Sequence, residues 1–257
     1  MFRIDNKKKA LATFIGGILC ASQANAADFY FGENSDVLLQ INSQFSVGAS
    51  WQLEDPDSRY FAGVNGGTGF GSTADDGHLN FKKGDTFSKI IKGVHDLQLS
   101  NDEFGAFVRF KYWYDKELND ESRAHGQSLN GYQKNVPLSD EGFSDFAKFS
   151  GIELLDAYLY SSFNFADTPI DVRLGRQVVS WGESTFIQGG INSINPIDVS
   201  AFRRPGAELK EGLLPVGMLY ANVSLTDNLS VEGFYQYEWE KTQIDGCGTY
   251  FSGADFA

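Results

Sequence analysis

From Val37 to Leu53 the chain changes character at every step. Val37, Leu39, Ile41, Phe45, Val47, Ala49, Trp51 and Leu53 fall on one parity; Gln40, Asn42, Gln44, Ser46, Ser50 and Gln52 fall on the other. Only Ser43 and Leu38 break the rule. A period of two held this long predicts an extended strand with one apolar and one polar face. Globular strands usually run to about five or six residues, so this one is long for a soluble domain and suits a tilted membrane-spanning strand.

The same alternation recurs along the chain. Ile90–Ser100 is a weaker strand, and Phe104–Asp115 follows with Arg109 and Lys111 on its polar parity. Leu155, Ala157, Leu159, Phe163 and Phe165 alternate with Asp156, Tyr158, Tyr160, Ser162 and Asn164. Ile170–Val179, Gly217–Leu225 and Leu229–Glu240 complete about seven strands. The connections alternate too. Residues 54–88, 117–150 and 180–214 are long, whereas Asn101–Gly105, Ala166–Pro169 and Thr226–Asn228 are tight and carry turn-forming Asn, Asp, Gly and Pro. Structureless connections beyond about 15 residues are uncommon inside compact domains. Long loops at one end and short turns at the other are the rule in outer-membrane barrels. The expected architecture is therefore an all-β, antiparallel, up-and-down barrel. Its short turns are periplasmic and its long loops external, with Trp51, Tyr112, Tyr114, Tyr237 and Trp239 near the outer strand ends as an aromatic girdle.

The N-terminus changes the picture from fold to location. Arg3, Lys7, Lys8 and Lys9 precede a short apolar run, Ala10–Ala21, and then Ala24-Asn25-Ala26. This reads as a secretory signal, residues 1–26, cleaved after Ala26 and followed by a barrel segment from 27 to 257. The apolar run is too short for a spanning helix, which needs roughly 20 residues. Cleavage removes Cys20 and leaves Cys247 alone, and an odd thiol in an exported chain suggests a partner elsewhere. Seven strands do not close a bacterial barrel, which takes an even number of at least about eight. The expectation is a barrel incomplete at its C-terminal end, in the outer membrane of a Gram-negative cell.

Charge excludes one class of partner. The first 26 residues carry a net +3, so residues 27–257 carry −16 of the chain's overall −13. Nucleic acid requires a basic footprint that is missing here. Aromatics make up 14% with mean hydropathy at −0.28, the average of a chain whose lipid-facing and lumen-facing residues cancel.

Catalysis and cofactors find little support. Trp181-Gly182-Glu183-Ser184 lacks the G-x-S-x-G frame of a nucleophile elbow. His78, His95 and His125 fall on a loop, a strand and a loop, without metal-ligand spacing. The Gly66–Gly77 stretch has no Lys-Ser/Thr ending to bind phosphate. Within it, Asp75-Asp76 lack the spaced ligands of a Ca²⁺ site. No enzyme activity, cofactor or metal is expected.

The most specific stretch is "RLGRQVVSWGES" followed by "GGINSINPIDVSAFRRPGAELKEGLLPV". It resembles the proteobacterial domain of unknown function 1302 family, and the likeness runs through the mature chain, from "QINSQFSVGASW" to "EWEKTQIDGCGTY". The resemblance implies an exported outer-membrane barrel, longer than this chain, in contact with outer-membrane lipid and involved in envelope transport of hydrophobic compounds or lipids. It implies no catalytic residues.

Read from the residues alone, the same segment predicts a third long loop folded into the lumen. Asn195 caps a short helix started by Pro196 and ended by Pro205-Gly206. Asp171, Arg173, Glu183, Asp198, Arg203, Arg204 and Glu208 are the pore and constriction candidates, with Arg203 and Arg204 facing acidic groups of the same loop or of the inner wall, such as Asp171 or Asp156. Charges lining a narrow pore set its selectivity. Lower in the lumen, Asp96 is expected opposite Arg109 or, after a two-residue slip, Lys111. The function read from these features is a porin-like channel or uptake barrel for small organic or hydrophobic solutes. The alternative is a non-transporting barrel acting as adhesin or envelope-assembly partner.

Overall fold

The computed structural model describes residues 18–32, 36–126, 131–182 and 194–256. Eight strands form one antiparallel sheet in the order β1-β2-β3-β4-β7-β8-β9-β10. They are β1 (Ile18–Phe31), β2 (Val37–Trp51), β3 (Thr86–Ser100), β4 (Phe104–Asp115), β7 (Ser150–Phe165), β8 (Thr168–Gln177), β9 (Val216–Thr226) and β10 (Leu229–Gln236). Between β4 and β7, β5 (Ser122–Arg123) and β6 (Val136–Pro137) make a separate two-residue ladder. The main sheet is open, with β1 and β10 as its edges. No helix among the described residues is long and apolar enough to cross a membrane.

The seventeen-residue alternation becomes β2, and each strand pairs with its neighbour in sequence. The turns explain why. Asn101 Oδ1 accepts from the backbone N–H of Glu103 (2.9 Å) and Phe104 (2.8 Å), fixing the β3–β4 reversal. Ala166 and Asp167 both have positive φ, 47° and 67°, as a two-residue type I′ hairpin demands. These turns and the β9–β10 turn lie at one end of the sheet; residues 52–85, 116–149 and 178–215 connect strands at the other.

Register makes the two faces continuous. One row runs Phe29, Leu39, Leu99, Ala106, Leu159, Leu174, Leu219 and Tyr235, across all eight strands. Its members stand out from the protein, with Leu159 62% and Tyr235 71% exposed. The opposite face carries Lys92, Lys111, Asp156, Gln177 and Met218, all buried. Near the long segments the polar face is thus covered, whereas towards the tight turns Ser162, Asp171 and Glu232 on the same face are exposed; the apolar face is bare at both ends, the reverse of a soluble single-sheet protein.

Three expectations are corrected. The sheet has eight strands, not seven, because Ile18–Phe31 pairs with β2 along its whole length. Ala- and Ser-rich sequence gives little hydropathy contrast, so the alternation does not reveal that strand. Leu155 does not share a face with Ala157 and Leu159. The β4–β7 register shifts between Val108 and Phe110, so Leu155 and Asp156 together oppose Arg109. This bulge turns Leu155 inward, fully buried with Phe146 and Leu214, and leaves Leu154 and Ile152 exposed. Finally, β10 ends at Gln236, so Tyr237 and Trp239 lie just beyond the strand rather than within it. Trp51, Tyr112 and Tyr114 do occupy the strand ends next to the long segments.

Candidate functional site

The covered face is closed by residues 195–214, which fold over it from the long-loop end. Asn195 anchors the entry. Its Nδ2 donates to the carbonyls of Gln177 (3.1 Å) and Leu214 (2.9 Å), and its Oδ1 accepts from Val179 N–H (3.0 Å). Asn195 therefore ties the end of β8 to the start of β9 and does not cap a helix as the sequence suggests. The cap is Asp198, whose Oδ1 accepts from Ala201 N–H (3.0 Å) and Ser200 Oγ (2.6 Å) at the start of Val199–Arg203. A carboxylate suits that position because the first helical N–H groups lack partners. Pro205-Gly206 follows the helix, and Gly206 takes a positive φ of 68° to turn the chain.

Capping leaves Oδ2 of Asp198 free to reach the sheet, where it accepts from Lys111 Nζ at 2.9 Å. One strand away, Lys92 Nζ meets both oxygens of Glu211 at 2.6 and 2.8 Å. All four side chains are at most 5% exposed. Lys111 also lies 5.3 Å from the Trp113 ring and 5.0 Å from Phe146. Arg204 stacks over Trp113 at 4.7 Å and donates to the carbonyls of Phe146 (2.9 Å) and Lys148 (3.3 Å). Glu208 accepts from Gln44 on β2 and lies 3.3 Å from Lys210, which itself donates to Gln44 Oε1. The loop thus spans the polar face from β2 to β9.

A second layer lies deeper, towards the tight turns. Asp96 sits directly opposite Arg109. The guanidinium forks onto the carboxylate at 2.7 and 3.0 Å, and its Nη1 donates to Asp156 at 3.2 Å. Beyond it, Arg173 lies over the rings of Tyr220 (4.1 Å) and Tyr158 (6.0 Å), and Asp171 accepts from Ser162 (2.6 Å).

The expected partnership of Arg203 and Arg204 with Asp171 or Asp156 is not formed. Asp156 is taken by Arg109, and Asp171 accepts from Ser162 and Asn222. Arg203 instead pairs with Asp245 and lies 4.9 Å from the Phe251 ring. Burial pushes the Asp245 carboxyl above its usual range, against the lowering effect of Arg203. Lys111 is not the partner of Asp96, since it belongs to the upper layer. Glu183 and Ser184 lie outside the described residues. Above the ion pairs, a cleft at the long-loop end is lined by Phe87, Ser88, Asp115, Arg203, Arg204 and Asp245. Cys247 is buried and free of a disulfide.

The histidines are dispersed. His78 is in a short helix, Asp76–Leu79, and stacks on Tyr60; His95 stacks on Phe110 and hydrogen-bonds Ser43 on the apolar face; His125 donates its backbone N–H to Asn80. Glu211 is legible in the sequence as part of the opposing charge of the third long segment, but its partner Lys92 is not. Asp255 reaches back to Asp75 and Asp76 and forms a buried acidic cluster with them.

A family model described as "Protein of unknown function (DUF1302)" matches residues 7–257. No curated protein and no solved structure matches the chain.

Proposed function

The chain belongs to the DUF1302 family, and from that premise and the geometry above we propose that it is an exported outer-membrane β-barrel protein. It conducts small organic solutes past a constriction formed by residues 195–214. The observation that carries the reading is the inverted sheet. Its apolar face is bare across eight strands, while its polar face is ion-paired beneath a loop. Water favours the opposite arrangement, whereas lipid outside and an aqueous lumen inside favour this one. In that setting β1 and β10 require further pairing, because unpaired strand edges do not persist in hydrocarbon. Signal cleavage after Ala26 would leave only Ala27–Phe31 of β1. Loop 195–214 then narrows the lumen, and Arg203 and Arg204 at the adjoining cleft favour solutes bearing a carboxylate.

The test is planar-bilayer recording of the complete protein, recovered from the outer-membrane fraction. Discrete conductance steps are expected from wild type. Larger steps with selectivity shifted towards cations are expected from R203A/R204A, because positive charge and bulk leave the cleft that adjoins the constriction. Wild-type protein that inserts without conductance rejects transport and favours an adhesin or assembly barrel. Recovery as a soluble periplasmic protein rejects the barrel itself.

A further inference from the structure

Away from the ion-pair layers, the first long segment meets the end of the chain. Asp75 and Asp76 stand at the start of the helix Asp76–Leu79, and Asp255 reaches them from 180 residues further on. Its two oxygens accept from the backbone N–H of Asp75 (3.0 Å) and Asp76 (3.1 Å). The seam is tight. Asp255 N–H donates to Thr73 O at 2.9 Å, Asn80 Nδ2 donates to Gly248 O at 3.0 Å, and a Cβ added at Gly77 would come within 2.5 Å of Thr249 O.

This packing encloses three carboxylates. Asp75, Asp76 and Asp255 are 1%, 5% and 1% exposed, and one oxygen from each lies within 4.8 Å of the others. Among the described residues, no Lys or Arg pairs with Asp75 or Asp255. Asp75 adds a second observation. Its Oδ2 accepts from Ala62 N–H (2.9 Å) and Asn65 Nδ2 (3.0 Å), but its Oδ1 is fully enclosed and accepts no hydrogen bond. A carboxylate oxygen buried without a partner is costly, and native folds nearly always satisfy such an atom.

We propose that Asp75, Asp76 and Asp255 bind one hard divalent cation, Ca²⁺ by preference, which fastens residues 73–80 to residues 246–256. The donors are all oxygen, with no His nitrogen or Cys sulfur, which disfavours zinc and copper. Ca²⁺ tolerates irregular oxygen shells completed by water, whereas Mg²⁺ demands near-octahedral geometry and keeps its own water. The adjacent pair Asp75-Asp76 lacks ligand spacing by itself; the third ligand arrives only through the fold.

The experiment uses the full chain, folded in detergent free of lipopolysaccharide, stripped by chelator, and titrated with Ca²⁺ and Mg²⁺ in a calorimeter. One saturable Ca²⁺ site is expected in wild type, with weaker Mg²⁺ binding. The isosteric variants D75N and D255N should each weaken Ca²⁺ binding roughly tenfold or more. Absence of saturable binding in wild type overturns the proposal. So does unchanged affinity in both variants, which would mean diffuse binding by surface carboxylates. Because either variant could fail to fold, hydrogen exchange of wild type gives an independent decision. Ca²⁺ should slow exchange in 73–80 and 246–256 reversibly with chelator, and binding without that protection places the ion elsewhere.

Discussion

The two ion-pair layers on the polar face are built in different ways. Arg109 and Asp96 are 13 residues apart, face each other across neighbouring strands, and keep 18% and 15% of their side-chain surface exposed. Lys111 and Asp198 are 87 residues apart, and Lys92 and Glu211 are 119 apart; these four are almost completely enclosed. The lower layer is a property of the sheet. The upper layer exists only where a loop lies on the sheet, and there each ion must recover the hydration it gives up. The structure shows how. Asp198 takes Lys111, Ser200 and the Ala201 amide, while Glu211 offers both oxygens to Lys92. A loop held in this way is latched by charge as well as by apolar contact.

The strongest test of that difference is Asp198→Asn, which leaves Lys111 buried without its counter-ion. A loss of about 3–5 kcal/mol is expected in urea unfolding of the folded protein in detergent. A loss below about 1 kcal/mol would be that of an exposed pair and would erase the distinction between the layers. Next is the pair exchange K92M/E211L. Each single replacement should cost roughly 3 kcal/mol, but the double should fall within about 1 kcal/mol of wild type, because no charge is then stranded. Additive losses in the same unfolding assay would show that the two side chains are not coupled.

In the lower layer, Asp96→Asn should cost only about 1 kcal/mol, since Arg109 keeps Asp156 and partial exposure. A loss as large as that of Asp198→Asn would place this layer, too, in a dry environment.

The smallest effects should appear as pH slopes in the long segments. Burial acts to raise the Glu117 pKa, but hydrogen bonds from Lys89, Thr86 and Arg123 bring it below its ordinary 4.5. Its stabilising contribution is therefore present above pH 4.5 and lost as pH falls through the lowered folded value. Asp245 has the opposite sign, since burial raises it above 3.8. Its contribution is present below 3.8 and lost as pH rises through the raised folded value. Melting temperature against pH should lose the first slope in E117Q and the second in D245N. Unchanged slopes in both variants would assign the pH dependence to other carboxylates.

The legible part of the fold is the part set by neighbours in sequence. Alternation along Val37–Trp51 identifies a strand because successive side chains point to opposite faces. Asn101, Ala166 and Asp167 sit where the reversals occur, and a short turn fixes register, so Asp96 falls opposite Arg109. The charges of the third long segment suit its course over the polar face, but do not reveal its contacts. Asn195 and Asp198 are both credible caps by residue type, and only the approach of Lys111 and the ends of β8 and β9 separates their roles.

The sequence by itself determined seven of the eight strands of the main sheet, their two faces outside the Leu155–Asp156 bulge, the alternation of long and short connections and the pairs that a hairpin brings together. Each is governed by side-chain parity or by a turn of a few residues. Tertiary structure alone decided the rest. It set the Leu155–Asp156 bulge, which rotates one strand's apolar phase, and the pairing of Ile18–Phe31 with β2. It also set the latch of Lys92 and Lys111 onto Glu211 and Asp198, and the meeting of Asp255 with Asp75 and Asp76. These depend on which surfaces meet after long loops close. Closure entropy changes slowly with loop length, so spacing along the chain carries little information about which distant partner is met.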